Sequence, residues 1–191
     1  WSGGVTVTGP ATARRRLRTE LLKIRLNLGL SDASVGHDLG WLQTRLTGIE
    51  TGQTDIGLGV LRSLLAHYRI TDSAHVDRLV DLQRLARRRH WADTYRQFYT
   101  PSFLDFLSYE DDATELLYFH PRVVPGLLQT EAYARAIIQA TAPQPTRRDV
   151  EARVKARMRR QHTILISERR IQVALTEPAL LRPVSNDETV I

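Results

Sequence analysis

The sequence predicts a mainly α fold with a small β component: a helical domain over residues 13–90, then an α+β domain over residues 91–191. Three observations predict it. Between Ala13 and Arg89, apolar residues recur at helical spacing in five consecutive stretches, each marking one buried helix face. Past His90 that rhythm gives way to an aromatic segment, an acidic cluster and short alternating runs. Charge divides at the same place: residues 1–90 hold 14 Lys and Arg against 8 Asp and Glu, and residues 91–191 hold 13 of each. The whole net charge of +6 therefore lies in the first half. That implies either a polyanionic partner for this half or a solvated basic face.

Residues 1–12, mostly Gly, Thr and Val, read as a flexible leader. Leu17, Leu21, Ile24 and Leu28 form the inner stripe of a first helix that ends at Gly29. Ser31 caps a short second helix with Val35 and Leu39 inward, stopped by Gly40. A third helix runs from about Leu42 to Glu50, with Leu46 and Ile49 inward, and turns at Thr51-Gly52. Leu61, Leu64, Leu65 and Tyr68 mark the fourth. Thr71 or Asp72 caps the fifth, which carries Val76, Leu79, Val80 and Leu85 and closes in the run Arg87 to Arg89.

In the second half, Trp91, Tyr95, Phe98, Tyr99, Phe103 and Phe106 crowd one segment, followed by Glu110, Asp111, Asp112 and Glu115. Leu116 to His120 read as a strand. Pro121, Pro125 and Gly126 punctuate the chain, and Thr130 caps a helix to about Ala140. After the link APQP, Thr146 with Asp149 three residues on has capping-box spacing, and the helix it opens runs to about Leu165. Ile171, Val173 and Leu175 alternate with Gln172, Ala174 and Thr176, a second strand. The basic helix at 147–160 reads as a solvated face, or as a partner for the acidic cluster at 110–115. The aromatics read as core or interface.

Composition removes several classes. The chain has 191 residues, 42% hydrophobic and 25% charged, a globular mixture rather than a disordered one. No apolar run approaches the roughly 20 residues that span a bilayer, so no membrane is expected. Residues 1–16 lack the apolar stretch of a secretory signal. With no Cys, disulfides, Cys-ligated zinc and cysteine nucleophiles are excluded, and a reducing cytoplasm is the expected compartment. His37, His67, His75, His90, His120 and His162 stand singly, without ligand spacing. No phosphate-binding loop, nucleophile elbow or zinc-protease motif occurs, and Gly57-Leu-Gly59 is isolated. The expectation is a protein that is not an enzyme and uses no cofactor. The chain opens at Trp1 without a Met and stops soon after the second strand, so a fragment is expected.

One spacing carries functional information. A pair of short helices that cross tightly to read DNA needs a small residue at the crossing, a Gly in the turn and apolar residues along the seam. Counting from Asp32, the fourth and eighth positions are Val35 and Leu39. The fifth, where the helices touch, is Gly36, and the ninth, in the turn, is Gly40. The tenth, fifteenth and eighteenth are Trp41, Leu46 and Ile49. All seven agree. With Leu46 and Ile49 inward, Gln43, Thr44 and Thr47 turn outward together, and Arg45 lies to the side.

At these residues, LGLSDASVGHDLGWLQTRLTGIETGQ (28–53) resembles the helix-turn-helix of phage-repressor, or XRE-type, regulators. The resemblance implies a five-helix repressor-like domain that binds double-stranded DNA, with Gln43, Thr44 and Thr47 facing the groove and Glu50 paired with Arg25. HPRVVPGLLQTEAYARAII (120–138), RVKARMRRQHTIL (153–165) and EPALLRP (177–183) are similar to an actinobacterial regulator family. That family couples such a reader to a C-terminal domain described in some members as antitoxin-like. Its members continue past the point where this chain stops, which again points to a fragment.

The resemblance makes a homodimer the expected state, since one helix-turn-helix covers a half-site and two recognition helices sit about 34 Å apart. The apolar and aromatic residues of 76–106 are the candidate contact. The expected DNA-binding residues are Gln43, Thr44, Arg45, Thr47 and Arg18. Of these, Arg45 and Arg18, one of several cations of the first helix, would meet phosphate. The alternative expectation is an interaction module whose C-terminal domain binds a small partner protein or a small-molecule effector, with DNA contact secondary. Three positions depart from the family pattern. Asp32 stands where a Gln meets phosphate, Leu42 where a Ser or Thr caps, and Gly48 where an Arg is common. An Asp at that mouth would repel phosphate, which lowers the expected DNA affinity.

Overall fold

The computed structural model describes residues 9–181, 183 and 184, with the backbone alone described for Gln43. It is mainly helical with a small two-stranded parallel sheet. The chain divides into two compact units between His90 and Trp91.

In the first unit, α1 (Pro10–Asn27), α2 (Asp32–Asp38), α3 (Gln43–Thr51), α4 (Leu58–His67) and α5 (Ser73–Ala86) enclose one core. Leu17, Leu21, Val35, Leu46, Ile49, Leu61, Leu64 and Leu79 are its fully enclosed side chains. They supply one stripe from each helix, and burying such stripes is the main force assembling the unit. Caps set the helix starts. The Ser31 hydroxyl accepts from Ser34 N, and the Asp72 carboxylate accepts from the backbone N–H groups of Ala74 and His75. The buried amide of Gln83 donates to the Ile56 carbonyl at 3.1 Å and ties down the loop after α3.

In the second unit, a 3-10 turn (Trp91–Tyr95) precedes α6 (Pro101–Asp112), β1 (Glu115–His120), α7 (Glu131–Thr141), α8 (Arg147–Leu165), β2 (Arg170–Leu175) and α9 (Glu177–Leu181). β1 and β2 pair in parallel, Glu115 beside Arg170 through His120 beside Leu175. Leu116, Tyr118 and Ile171 pack with Leu127 and Ile164 of α8, while Leu117 and Phe119 on the opposite face are exposed. Ile138 of α7 packs on Val150 and Val154 of α8. Thr146 and Asp149 form the capping box read from their spacing.

The turn Val124–Gln129 is knotted to α8. Gln161 donates to the carbonyls of Gly126 and Gln129, both at 2.7 Å, and Arg157 donates to the Gln129 side-chain oxygen. A Cβ on Gly126 would lie 3.1 Å from the Arg160 guanidinium. The PGLLQ string therefore has a packing explanation: its glycine lets α8 arginines approach the backbone.

Several sequence expectations change. Helix α1 starts at Pro10, three residues earlier than read, because Pro suits a first helical turn and Ala11 is buried. The leader thus ends at Gly9, and residues 1–8 of it lie outside the described residues. Leu28, placed in the inner stripe, is the C-cap of α1 and is exposed. Helix α6 was not read at all. Its signals are Thr100, whose hydroxyl accepts from Phe103 N, and Pro101 in the first turn, and the crowded aromatics and acids hid them.

Candidate nucleic-acid interface

The crossing of α2 and α3 is built by small residues. Gly36 is buried on the inner side of α2, and its carbonyl accepts from Trp41 N at 2.8 Å. Gly40 takes a left-handed φ of +64 and ends α2, a conformation that costs a side-chain-bearing residue energy. Leu46 and Ile49 then anchor α3 in the core, and the rotation this sets leaves Thr44, Arg45 and Thr47 exposed. Gln43 begins α3; its side chain is outside the described residues.

The cations expected at phosphate stand near the two ends of α3. Arg45 lays its guanidinium over the Trp41 ring, 4.8 Å from the centroid. Arg18 reaches from α1 to the other end and donates to the Thr51 carbonyl at 3.4 Å, a long bond. Its guanidinium covers Gly52, where a Cβ would overlap it at 1.1 Å. Gly52 is thus required twice, by its φ of +86 and by Arg18.

The end of α3 is fixed from behind. Arg25 and Glu50 form a bidentate pair, Nε to Oε1 and Nη2 to Oε2, both 2.7 Å. Arg25 Nη1 also donates to the Leu30 carbonyl at 2.8 Å. The bond to Glu50 holds the Arg25 pKa above its ordinary value despite burial. Burial, with the Glu50 carboxylate nearby, pushes the Tyr68 hydroxyl up to about 12.

Sequence reasoning missed three features of this face. Asp32 is a strut: Oδ1 accepts from Ala33 N at 2.9 Å, and Oδ2 accepts from the Thr47 hydroxyl at 3.0 Å, joining α2 to the middle of α3. Gly48 is not an idle weak point, because a Cβ there would meet Thr54 Oγ1 at 2.8 Å. Leu42, which caps nothing, is 80% exposed beside the start of α3. Spacing could not show this: Leu42 stands four residues before Leu46 and seven before Ile49, in step with the stripe, but as the extended N-cap it lies outside the helix.

The residues of 76–106 offer little apolar surface for a second copy. Leu79 and Val80 lie in the first unit's own core, and Val76 and Leu82 lean on it. Among the described large apolar side chains of that range, Phe106 is the exposed one. Among the described residues, no group of three or more His, Asp or Glu gathers as a metal site, and no helix is long and apolar enough to cross a membrane.

Residues 103–191 match a protein family described only as a domain of unknown function, DUF5753. No curated protein and no solved structure matches the chain.

Proposed function

We propose that the first unit reads double-stranded DNA with α3 in the major groove, and that the protein is a cytoplasmic transcriptional regulator of XRE type acting as a homodimer. The observation that carries this reading is the α2–α3 crossing on Gly36 and Gly40, which leaves Thr44, Arg45 and Thr47 exposed while Arg18 and Arg45 flank the helix. A protruding helix flanked by cations meets both demands of DNA recognition, phosphate contacts for position and side chains for base edges. The reading needs no cofactor and no catalytic step. Selection of binding sites from random duplexes with the full chain tests it. An enriched sequence bound with a steep salt dependence supports it, and no enrichment counts against it.

A second reading has its own observation. Leu117 and Phe119 lie bare on the outer face of a two-stranded sheet, 70% and 69% exposed, whereas parallel sheets are ordinarily covered on both sides. This favours an antitoxin-like module whose second unit binds a small partner protein, with DNA contact secondary. Failed DNA enrichment together with tight binding of a small protein encoded beside this gene selects that reading.

A further inference from the structure

The seam between α6 and α8 brings two guanidiniums of α8, Arg157 and Arg160, to one void. The Arg160 guanidinium is bidentate to Glu110. Arg157, three residues earlier, is half-buried and has no carboxylate partner among the described residues. Its hydrogen bond goes from Nη1 to the neutral side-chain oxygen of Gln129 at 2.5 Å. Burial lowers its pKa, and the like charge of Arg160 adds to that effect. Arg153, a turn further back, places its guanidinium 5.9 Å from the Tyr99 ring centroid, and its Nε is buried with no hydrogen-bond partner. Asp149, one turn before Arg153 on the same helix, caps the helix through Thr146 and feels the Arg153 charge. Of the three guanidiniums, Arg160 is the one bonded to the buried Glu110 carboxylate.

A void of about 10 Å³ lies beside Arg157 and Arg160, lined with them by Tyr99, Phe103, Leu107 and Ala156. A guanidinium does not surrender its proton in a protein. A half-buried one without an anion is therefore costly, and the cost is relieved only by water or a counter-ion. The void has room for one water-sized occupant.

We propose that this seam is a small-anion site, in which Arg157, seconded by Arg160, holds one compact anionic group: a chloride ion, or a single oxygen of a carboxylate or phosphate head. The site lies within the second unit and stands independently of DNA reading by the first.

The test is thermal unfolding of the full chain at constant ionic strength, with sodium methanesulfonate replaced stepwise by chloride, acetate or phosphate. The midpoint rises saturably with at least one of the three. A response to chloride alone identifies a halide site, and a response to acetate or phosphate identifies a head-group site. Arg157→Gln loses the saturable rise, while Arg148→Gln, exposed on the same helix, keeps it. A midpoint that saturates with none of the anions, or a rise that survives Arg157→Gln, overturns the proposal. If Arg157→Gln does not fold, the guanidinium Nε–Hε resonances of the unaltered chain decide. That of Arg157 moves with the same saturation while that of Arg148 stays, and a stationary Arg157 resonance overturns the proposal.

Discussion

Each unit is riveted by a bidentate Arg–Glu pair with little exposure, and the two pairs differ in their surroundings. Arg25–Glu50 joins α1 to the end of α3, keeps 11% and 8% side-chain exposure, and has its spare donor satisfied by the Leu30 carbonyl. Arg160–Glu110 joins α8 to α6, with Glu110 only 1% exposed. The Tyr118 hydroxyl donates to the same carboxylate, and Arg169 donates to the Glu110 carbonyl. The first carboxylate answers one cation. The second answers Arg160, whose neighbour Arg157 has no carboxylate partner among the described residues. Removing that anion leaves two neighbouring like charges, more than is stranded by removing one member of an isolated pair.

The largest effect is therefore expected from Glu110→Gln. Breaking a buried pair costs about 3–5 kcal/mol, and this variant should reach the upper end. Urea unfolding checks it, followed through Trp91 in a background with Trp1 and Trp41 changed to Phe. The pKa of Tyr118, held up by burial and by its bond to Glu110, should fall toward the ordinary phenol value in the same variant, measured by ultraviolet titration. Glu50→Gln, followed through Trp41 with Trp1 and Trp91 changed to Phe, should cost about 3 kcal/mol, the lower end of that range. The double change Arg25→Met with Glu50→Leu should cost less than the two singles together, because no charge is left stranded. Equal losses from the two Glu variants would break the comparison.

The two pairs were also unequally legible. Arg25–Glu50 was an expectation because its spacing fits a family pattern. For the second unit the sequence offered only a basic helix and an acidic cluster able to meet. A sharper signal was present. Val150, Val154 and Ile164 form an apolar stripe on α8, and Arg157 and Arg160 occupy the gap in it. A charge in a buried stripe implies a buried partner. The α2–α3 crossing was legible because Gly36 and Gly40 serve a local geometric need. The pairing of β1 with β2 was not, since alternation identifies a strand and not its partner some 50 residues away. The Asp32–Thr47 strut was hidden for the same reason: it joins residues 15 apart through side-chain oxygens that follow no periodic pattern.

The comparison extends to DNA, where the first unit alone should respond. Arg45→Ala removes a cation from α3 and should weaken binding to a selected and a scrambled duplex alike, lowering the salt slope by about one unit. Gln43→Ala should cost about 1–3 kcal/mol at one base position and relax preference there. Arg157→Gln, in the second unit, should change neither. Isotherms at several salt concentrations separate the three. If both first-unit variants are silent, α3 is not the reader and the partner-binding account gains.

The smallest expected effect is also the most discriminating. Asp32 has two opposed parts under the proposed DNA reading: its charge would repel phosphate at the start of α2, and its Oδ2 holds the Thr47 hydroxyl. With that hydroxyl engaged, the Thr47 methyl is the group that would meet a base under that reading, and a thymine methyl is its natural contact. Asp32→Asn removes the charge and keeps an acceptor for Thr47. It should tighten binding to every duplex by less than about 1 kcal/mol, the scale of one exposed charge, and leave preference unchanged. Asp32→Ala removes both functions. It should tighten general binding to the same degree while relaxing preference at the base facing Thr47, and Thr47→Val, which keeps the branched shape and the methyl, should preserve that preference. Isotherms on matched and mismatched duplexes separate charge from strut. A loss of preference in Asp32→Asn, or its retention in Asp32→Ala, would show that the strut does not set how Thr47 is presented to the groove.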